Sequence, residues 1–271
     1  MISNNSTYVI AEIGINHGGS LHKAKKLIAA AKASNSNAVK FQTYITEKRV
    51  KKESPIFNIL KNSELSYDDH RELVKYSKIK KIDFITTPFD IESFNFIYNE
   101  LKLRTIKISS FDTTNFKFLK HIANFKITVI LSLGMASLSQ VKKCVSFFSK
   151  KKARLVILHC ISGYPILENE ANLSNIRYLI NKYPKLNVGY SDHTNDIKTS
   201  LLAVAAGAKI IEKHFMLTND KKCIDYPVSI DKIKMTKMIK RIREIEKIFN
   251  TPNFSEKKVE KNTLQFRRYS K

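Results

Sequence analysis

The sequence predicts a single (β/α)8 barrel, and three observations carry that expectation. Short apolar runs alternate with longer amphipathic stretches along nearly the whole chain, and eight such runs can be counted. The first of them, YVIAEIG, leads into GINHGGS and not into the G-x-G-x-x-G turn that an open, doubly wound sheet would carry. The chain has 271 residues, close to the ~250 that a barrel uses as one domain.

In order, the predicted strands are YVIAEIG (8–14), AVKFQT (38–43), DFITTP (83–88), TIKISS (105–110), TVILSLG (128–134), RLVILHC (154–160), NVGYS (187–191) and AKIIEKHF (208–215). Ser20 is placed to cap the first helix, in which Leu21, Ala24, Leu27, Ile28 and Ala31 share one face. The last helix, after Asp231, repeats Met238, Ile242, Ile245 and Phe249 at helical spacing. Residues 44–67 show no period and read as a long loop. The barrel is expected over 1–250, with 251–271 as a basic tail or truncated linker.

Composition fits a soluble globular protein, with 43% hydrophobic residues and no Trp. No stretch reads as a signal peptide, and none approaches the ~20 apolar residues that cross a bilayer. Cys144, Cys160 and Cys223 are odd in number and unrelated in spacing, which points to reduced thiols and a cytoplasmic location. Forty-eight Lys and Arg against 24 Asp and Glu give a net charge of +24. The lysines are scattered over polar helix faces, with no zinc finger, basic zipper or RNP-like motif beside them, so no nucleic-acid partner is expected. The field would still attract a small anionic substrate.

Barrel enzymes build their sites at the C-terminal strand ends. Buried parallel strands normally read as continuous Val, Ile and Leu, yet these finish in polar groups: Glu12, Lys40 with Gln42, Thr87, Lys107 with Ser110, Ser132, His159, Ser191 with His193, and Glu212 with His214. Ser162 and Tyr164 follow the sixth strand. Singly, Ser132 or Ser191 reads as a helix cap, and His159 as a core histidine bonded to backbone. Together they would converge on one mouth. Lys40 and Lys107 inside a barrel, which has no edge, need an anion, and with Ser110, Ser132 and Ser191 they suit a phosphate or carboxylate. His193 and His214 end neighbouring strands; they are either two core histidines or the ligands of one divalent cation. Glu212 would then be a third ligand or a partner of the ligands.

The motifs AEIGINHGGS, VKFQTY, TTPFD, KISSFD, ILSLGM, HCISGYP, GYSDHT and EKHF resemble, in order and spacing, the sialic acid synthase family. The resemblance implies a (β/α)8 barrel in a homodimer. It implies a transferase that condenses phosphoenolpyruvate with N-acetylmannosamine or a related amino sugar such as a 2,4-diacetamido sugar. His193 and His214 would hold the metal, Mn2+ or alternatively Mg2+ or Co2+. Lys40, Gln42, Thr87, Lys107, Ser110, Ser132 and Ser191 would hold phosphoenolpyruvate, and Glu12 would lie between it and the sugar. Ser162, Tyr164 and Asp225 would face the sugar.

Three departures stand out. Leu133 replaces the family's usual hydroxyl, Cys223-Ile224-Asp225-Tyr226 replaces G-P-D-H, and the chain ends near FRRYSK, where the linker to the family's antifreeze-like domain is expected. The competing expectations are a shortened, non-catalytic paralogue and another phosphoenolpyruvate-dependent synthase of the aldol type.

Overall fold

A computed structural model describes residues 6–249 and 251–268. Its strands are β1 (Tyr8–Gly14), β2 (Ala38–Thr43), β3 (Asp83–Pro88), β4 (Thr105–Ile108), β5 (Thr128–Ser132), β6 (Arg154–His159), β7 (Asn187–Asp192) and β8 (Ile210–His214). All seven pairings are parallel, in the order β3-β2-β1-β8-β7-β6-β5-β4. The two end strands, β3 and β4, lie side by side, so the sheet curls into a nearly closed barrel. The predicted fold class is therefore the observed one.

The helices are α1 (Leu21–Ala33), α2 (Thr46–Arg49), α3 (Phe57–Ser63), α4 (Tyr67–Ile79), α5 (Ile91–Asn99), α6 (Phe116–Ile122), α7 (Leu138–Ser149), α8 (Ser174–Lys182), α9 (Lys198–Ala205) and α10 (Lys232–Ile248). Ser20 caps α1 by accepting from the Lys23 amide, and Ala24, Leu27, Ile28 and Ala31 are its buried face. Asp231 caps α10 likewise, accepting from Lys234. The buried stripe of α10 is Met235, Met238, Ile239 and Ile242, while Phe249, past the last helical turn, is exposed. The expected loop over 44–67 holds α2 and α3, which at 4 and 7 residues are too short to show a period.

Strand ends differ from expectation by two residues at β4 and β5 and by one at β6, β7 and β8. Ser109 stops β4 by accepting from the Phe111 amide, which starts a 3₁₀ turn at Ser110–Asp112. Residues 251–268 carry only two 3₁₀ turns, Lys258–Glu260 and Leu264–Phe266; the tail expected over 251–271 lies partly outside the described residues.

Alternation along each strand decides where the site forms. Ile10, Ala38, Ile85, Ile130, Val156, Leu158 and Ile210 pack together with Tyr8 inside the barrel. Two residues further along their strands the same face carries Glu12 after Ile10, Lys40 after Ala38, Thr87 after Ile85, Ser132 after Ile130 and Glu212 after Ile210. The outward set, which includes Val9, Ala11, Ile13, Val39 and Phe41, packs under the helices. The barrel interior thus changes from apolar to polar halfway up. Gly189 permits the closest approach in the apolar half, since a Cβ there would lie 2.5 Å from the Ile210 carbonyl and 2.6 Å from Leu158.

Candidate active site

The polar half opens into a cavity of about 370 Å³ lined by Glu12, Lys40, Gln42, Thr87, Lys107, Ser110, Ser132, Tyr164, Ser191, His193, Glu212, His214 and Asp225. Of the predicted site residues, only Ser162 does not line it. Its hydroxyl instead shares a 2.9 Å hydrogen bond with Ser110 Oγ from behind. Gly134 makes room for that contact, because a Cβ there would fall 2.2 Å from Ser162 Oγ and 2.8 Å from Cys160 Sγ. His159 is a core residue, its Nε2 bonded to the Ala171 carbonyl at 2.8 Å.

The floor is a buried charge network. Lys40 Nζ lies 3.2 Å from Glu12 Oε2 and 3.2 Å from Glu212 Oε2. Lys107 Nζ donates to Ser132 Oγ at 2.6 Å and to the Ile108 carbonyl at 3.0 Å, and lies 3.8 Å from Glu212 Oε1. Ser191 donates to Glu212 Oε1 at 2.8 Å. Strand register explains the meeting: Glu12 is level with Lys40 on one side and His214 on the other, and Ser191 is level with Glu212. Glu212 faces the lysines; among the described residues no hydrogen bond or ion pair joins it to either histidine. Part of the anion that the strand lysines require is therefore internal.

These surroundings move the titrations. Burial pushes the Glu12 carboxyl up to about 7 against the pull of Lys40. Burial also opposes charge on Glu212, but Lys107 and Lys40 outweigh it and hold that carboxyl down at about 2. Lys40 is desolvated too, yet its two carboxylates leave its pKa above the ordinary lysine range. Lys107, with one distant carboxylate, is brought down to about 8 by burial. With two cations, one firm anion and one carboxyl titrating near neutrality, the network retains capacity for an added anion.

At the mouth, the His193 and His214 rings lie 5.6 Å apart between centroids, and the Tyr164 ring lies 4.1 Å from that of His193, tilted by 31°. His193 Nδ1 donates to the Ile161 carbonyl at 2.6 Å, which leaves the lone pair on Nε2. Burial lowers its pKa to about 4 and keeps the ring neutral. His214 Nδ1 is buried without a hydrogen bond, 3.2 Å from Asp225 Oδ2. Burial works against the charged form of His214, but Asp225 overrides it and raises the pKa. Asp225 is placed by Asn16, whose Oδ1 accepts from the Asp225 amide at 2.8 Å. Two buried imidazoles, one fixed in the neutral tautomer and one with an orphaned nitrogen, fit a divalent cation. Among the described residues no group of three or more His, Cys, Asp or Glu forms a ready cage.

Glu12 Oε2 and Glu212 Oε2 face the Lys40 ammonium, whereas two buried side-chain atoms here, Thr87 Oγ1 and His214 Nδ1, have no hydrogen bond. Such atoms are rare in folded proteins and mark places where a ligand completes the bonding.

The NeuB family matches residues 27–253. The chain belongs to the NeuB family. The N,N′-diacetyllegionaminic acid synthase of Campylobacter jejuni is 38% identical over 258 residues, 89% of this chain and 77% of that one. Human N-acetylneuraminate-9-phosphate synthase is 30% identical over 258 residues, 90% of this chain and 72% of its own length. Among solved structures, the N-acetylneuraminic acid (sialic acid) synthetase of Leptospira borgpetersenii, in complex with citrate, superposes with a TM-score of 0.93 at 37% identity, covering 97% of this chain and 92% of that one. This NeuB-family chain is accordingly a synthase, and the recognition made on its eight motifs holds.

Arg49 lines the same cavity and was not among the predicted residues. Its position, in a stretch without periodicity, gave no signal. From sequence Glu212 reads as a third metal ligand or a partner of the histidines, because its register with the two lysines is invisible until the strands are paired.

Proposed function

We propose that this chain condenses phosphoenolpyruvate with an N-acetylated amino sugar, N-acetylmannosamine or a related 2,4-diacetamido sugar, to give a nine-carbon 2-keto sugar acid and phosphate. The observation that carries the reading is the presence of Lys40, Lys107, His193 and His214 in one cavity. A cationic floor with several hydroxyls, of which Thr87 Oγ1 has no hydrogen-bond partner, suits the phosphate and carboxylate of the enol ester, and a pair of imidazoles suits a metal. The family membership supports the same chemistry.

Lys40 and Lys107, with Gln42, Thr87, Ser110, Ser132 and Ser191, grip phosphoenolpyruvate, and Ser162 acts by holding Ser110. His193 and His214 hold a divalent cation, Mn2+ or alternatively Mg2+ or Co2+, whose contribution is Lewis-acid polarisation of the open-chain sugar aldehyde. Tyr164 and Asp225 orient the sugar, so that C3 of phosphoenolpyruvate faces the aldehyde carbon. Fixing both reactants face to face removes up to ~7–11 kcal/mol of entropic barrier.

As the C3–C1 bond forms, C2 becomes electron-poor beside Glu12. That carboxyl titrates near 7, so it can take the proton of the water that adds at C2 and pass it to the former aldehyde oxygen, which the new C–C bond leaves as an alkoxide. The C2–O bond then breaks as the C2 hydroxyl gives up its proton to the departing phosphate, which carries the bridging oxygen, and the ketone forms. The working form is taken to be a cytoplasmic homodimer. Among the described residues no helix is long and apolar enough to cross a membrane.

The test is phosphate release from phosphoenolpyruvate with a panel of N-acetyl amino sugars, with and without Mn2+. Release that needs both sugar and metal is expected, with a bridging ¹⁸O label recovered in phosphate. Label retained in the sugar acid, or no release in any combination, refutes the reading.

A pH dependence follows from Lys107. The free enzyme holds it charged below about 8 and loses that charge above it. Since kcat/KM reports the free enzyme, kcat/KM for phosphoenolpyruvate should fall as pH rises through that value. A profile flat to pH ~10 would remove Lys107 from the anion site.

A further inference from the structure

The proposed chemistry leaves one cavity-lining cation unused, Arg49. It closes α2 in the connection from β2 to α4. Its guanidinium carbon lies 3.6 Å from the centroid of Phe89 and 4.7 Å from that of Tyr44. Tyr44 is itself fixed, donating its hydroxyl to the Leu60 carbonyl at 2.9 Å. Arg49 Nη1 donates to Gln42 Oε1 at 2.8 Å, and among the described residues this is its hydrogen bond; no carboxylate stands within ion-pair distance. A planar cation is thus held rigid by two rings and an amide, with most of its five N–H groups free.

Its level in the barrel is also fixed. Gln42 follows Lys40 by two residues on the same face of β2, so Arg49 stands nearer the mouth than the lysines. There the lining turns apolar: Ile56, Ile59, Phe111 and Ile224 all line the cavity and all are exposed at its rim. A half-buried cation without a counter-ion needs an oxygen from a ligand, and exposed isoleucines lining the same cavity need apolar surface.

We propose that Arg49 reads the acceptor sugar, donating its free N–H groups to the carbonyl oxygen of an acylamido group at the sugar's far end while the methyl of that group packs on Ile56, Ile59 and Ile224. The inference rests on the condensation proposed above and names the acceptor class: a diacylamino deoxy sugar. Hydroxyls of a polyhydroxy acceptor would face those isoleucines without partners. A phosphate dianion would need a second cation, and the other two cationic side chains that line the cavity, Lys40 and Lys107, lie lower in the barrel, where they are assigned to phosphoenolpyruvate. Burial lowers the Arg49 pKa to about 10, which still leaves it charged at neutral pH.

The test uses wild type, Arg49→Lys and Arg49→Leu at saturating phosphoenolpyruvate and Mn2+. The acceptors are N-acetylmannosamine, its 6-phosphate and a 2,4-diacetamido-2,4,6-trideoxyhexose. Wild type should favour the diacetamido sugar in kcat/KM by about tenfold or more, the size of one charged hydrogen bond. Both variants should raise the KM for that sugar by roughly 10- to 100-fold and lose the preference; in Arg49→Lys, which keeps a donor for Gln42 Oε1, the phosphoenolpyruvate KM should stay within about twofold of wild type.

A residue that only braced the loop would shift both KM values together and lower the thermal midpoint; that pattern in Arg49→Lys overturns the assignment. So does preference for the phosphorylated acceptor, or an acceptor KM unmoved by either variant. Absence of phosphate release from every acceptor in wild type would refute the condensation itself. Release with an unmoved acceptor KM refutes only the role of Arg49.

Discussion

Lys40→Ala is expected to lower kcat/KM for phosphoenolpyruvate by about 100- to 1,000-fold, the effect of truncating one partner of a buried charge pair. Two losses combine. The ammonium is a direct grip on the anion, and it is also the link between Glu12 and Glu212, 3.2 Å from each. Without it two carboxylates are left buried side by side, which should cost the fold ~3–5 kcal/mol near neutral pH. That penalty has a defined pH dependence. Burial already raises Glu12 to about 7, and losing Lys40 removes the main group pulling it down. A carboxyl whose folded pKa lies above its unfolded one stabilises the fold relatively below the unfolded value, and this is lost as pH rises through the folded value. The variant should therefore approach wild-type thermal stability near pH 5 and fall away from it through pH 7 and above. Equal midpoints for the two proteins across that range, with unchanged phosphoenolpyruvate kinetics, would refute the role given to Lys40.

Most of this network was legible before any strand was paired, and the reason is periodicity. In a barrel strand every second residue faces inward, so Ala38-Lys40-Gln42 and Ile210-Glu212-His214 announce an interior that turns polar. Seven of the eight strand starts follow from the same alternation, and only β8 begins later than expected, at Ile210. What could not be read depends on distance in the folded chain. Ser162 reads as a site hydroxyl, but Gly134 lets it slip behind Ser110 and act one step away from the cavity. Glu212 reads as a neighbour of His214 along β8, yet the parallel pairing of β8 with β1, and of β1 with β2, turns it into the counter-ion of Lys40. Arg49 escaped because short helices leave no repeat, and because its meaning lies in Phe89, forty residues away on another loop.

His193→Ala is expected to abolish stoichiometric manganese binding and to reduce phosphate release by on the order of 100-fold or more, beyond the 10- to 100-fold typical of losing a supporting partner alone. The structure gives this ring no other task that would explain such a loss. Its Nδ1 is committed to the Ile161 carbonyl, its pKa near 4 keeps Nε2 unprotonated at neutral pH, and its exposed neighbour Tyr164 lies over one face. The ring is buried and bonded to the Ile161 carbonyl, so its removal should also cost the fold the ~1–3 kcal/mol of one lost buried hydrogen bond and lower the thermal midpoint, and metal content is therefore read on variant protein confirmed to be folded. Asp225→Asn provides the graded comparison. It removes the carboxylate 3.2 Å from His214 Nδ1 but keeps the side-chain shape, so metal should bind more weakly without being lost. Elemental analysis of both variants after dialysis against manganese decides the matter. Full occupancy in His193→Ala means the cation, and with it the polarised aldehyde, belongs elsewhere in the cavity, and the pairing of these two histidines would then be only a consequence of β7 lying beside β8.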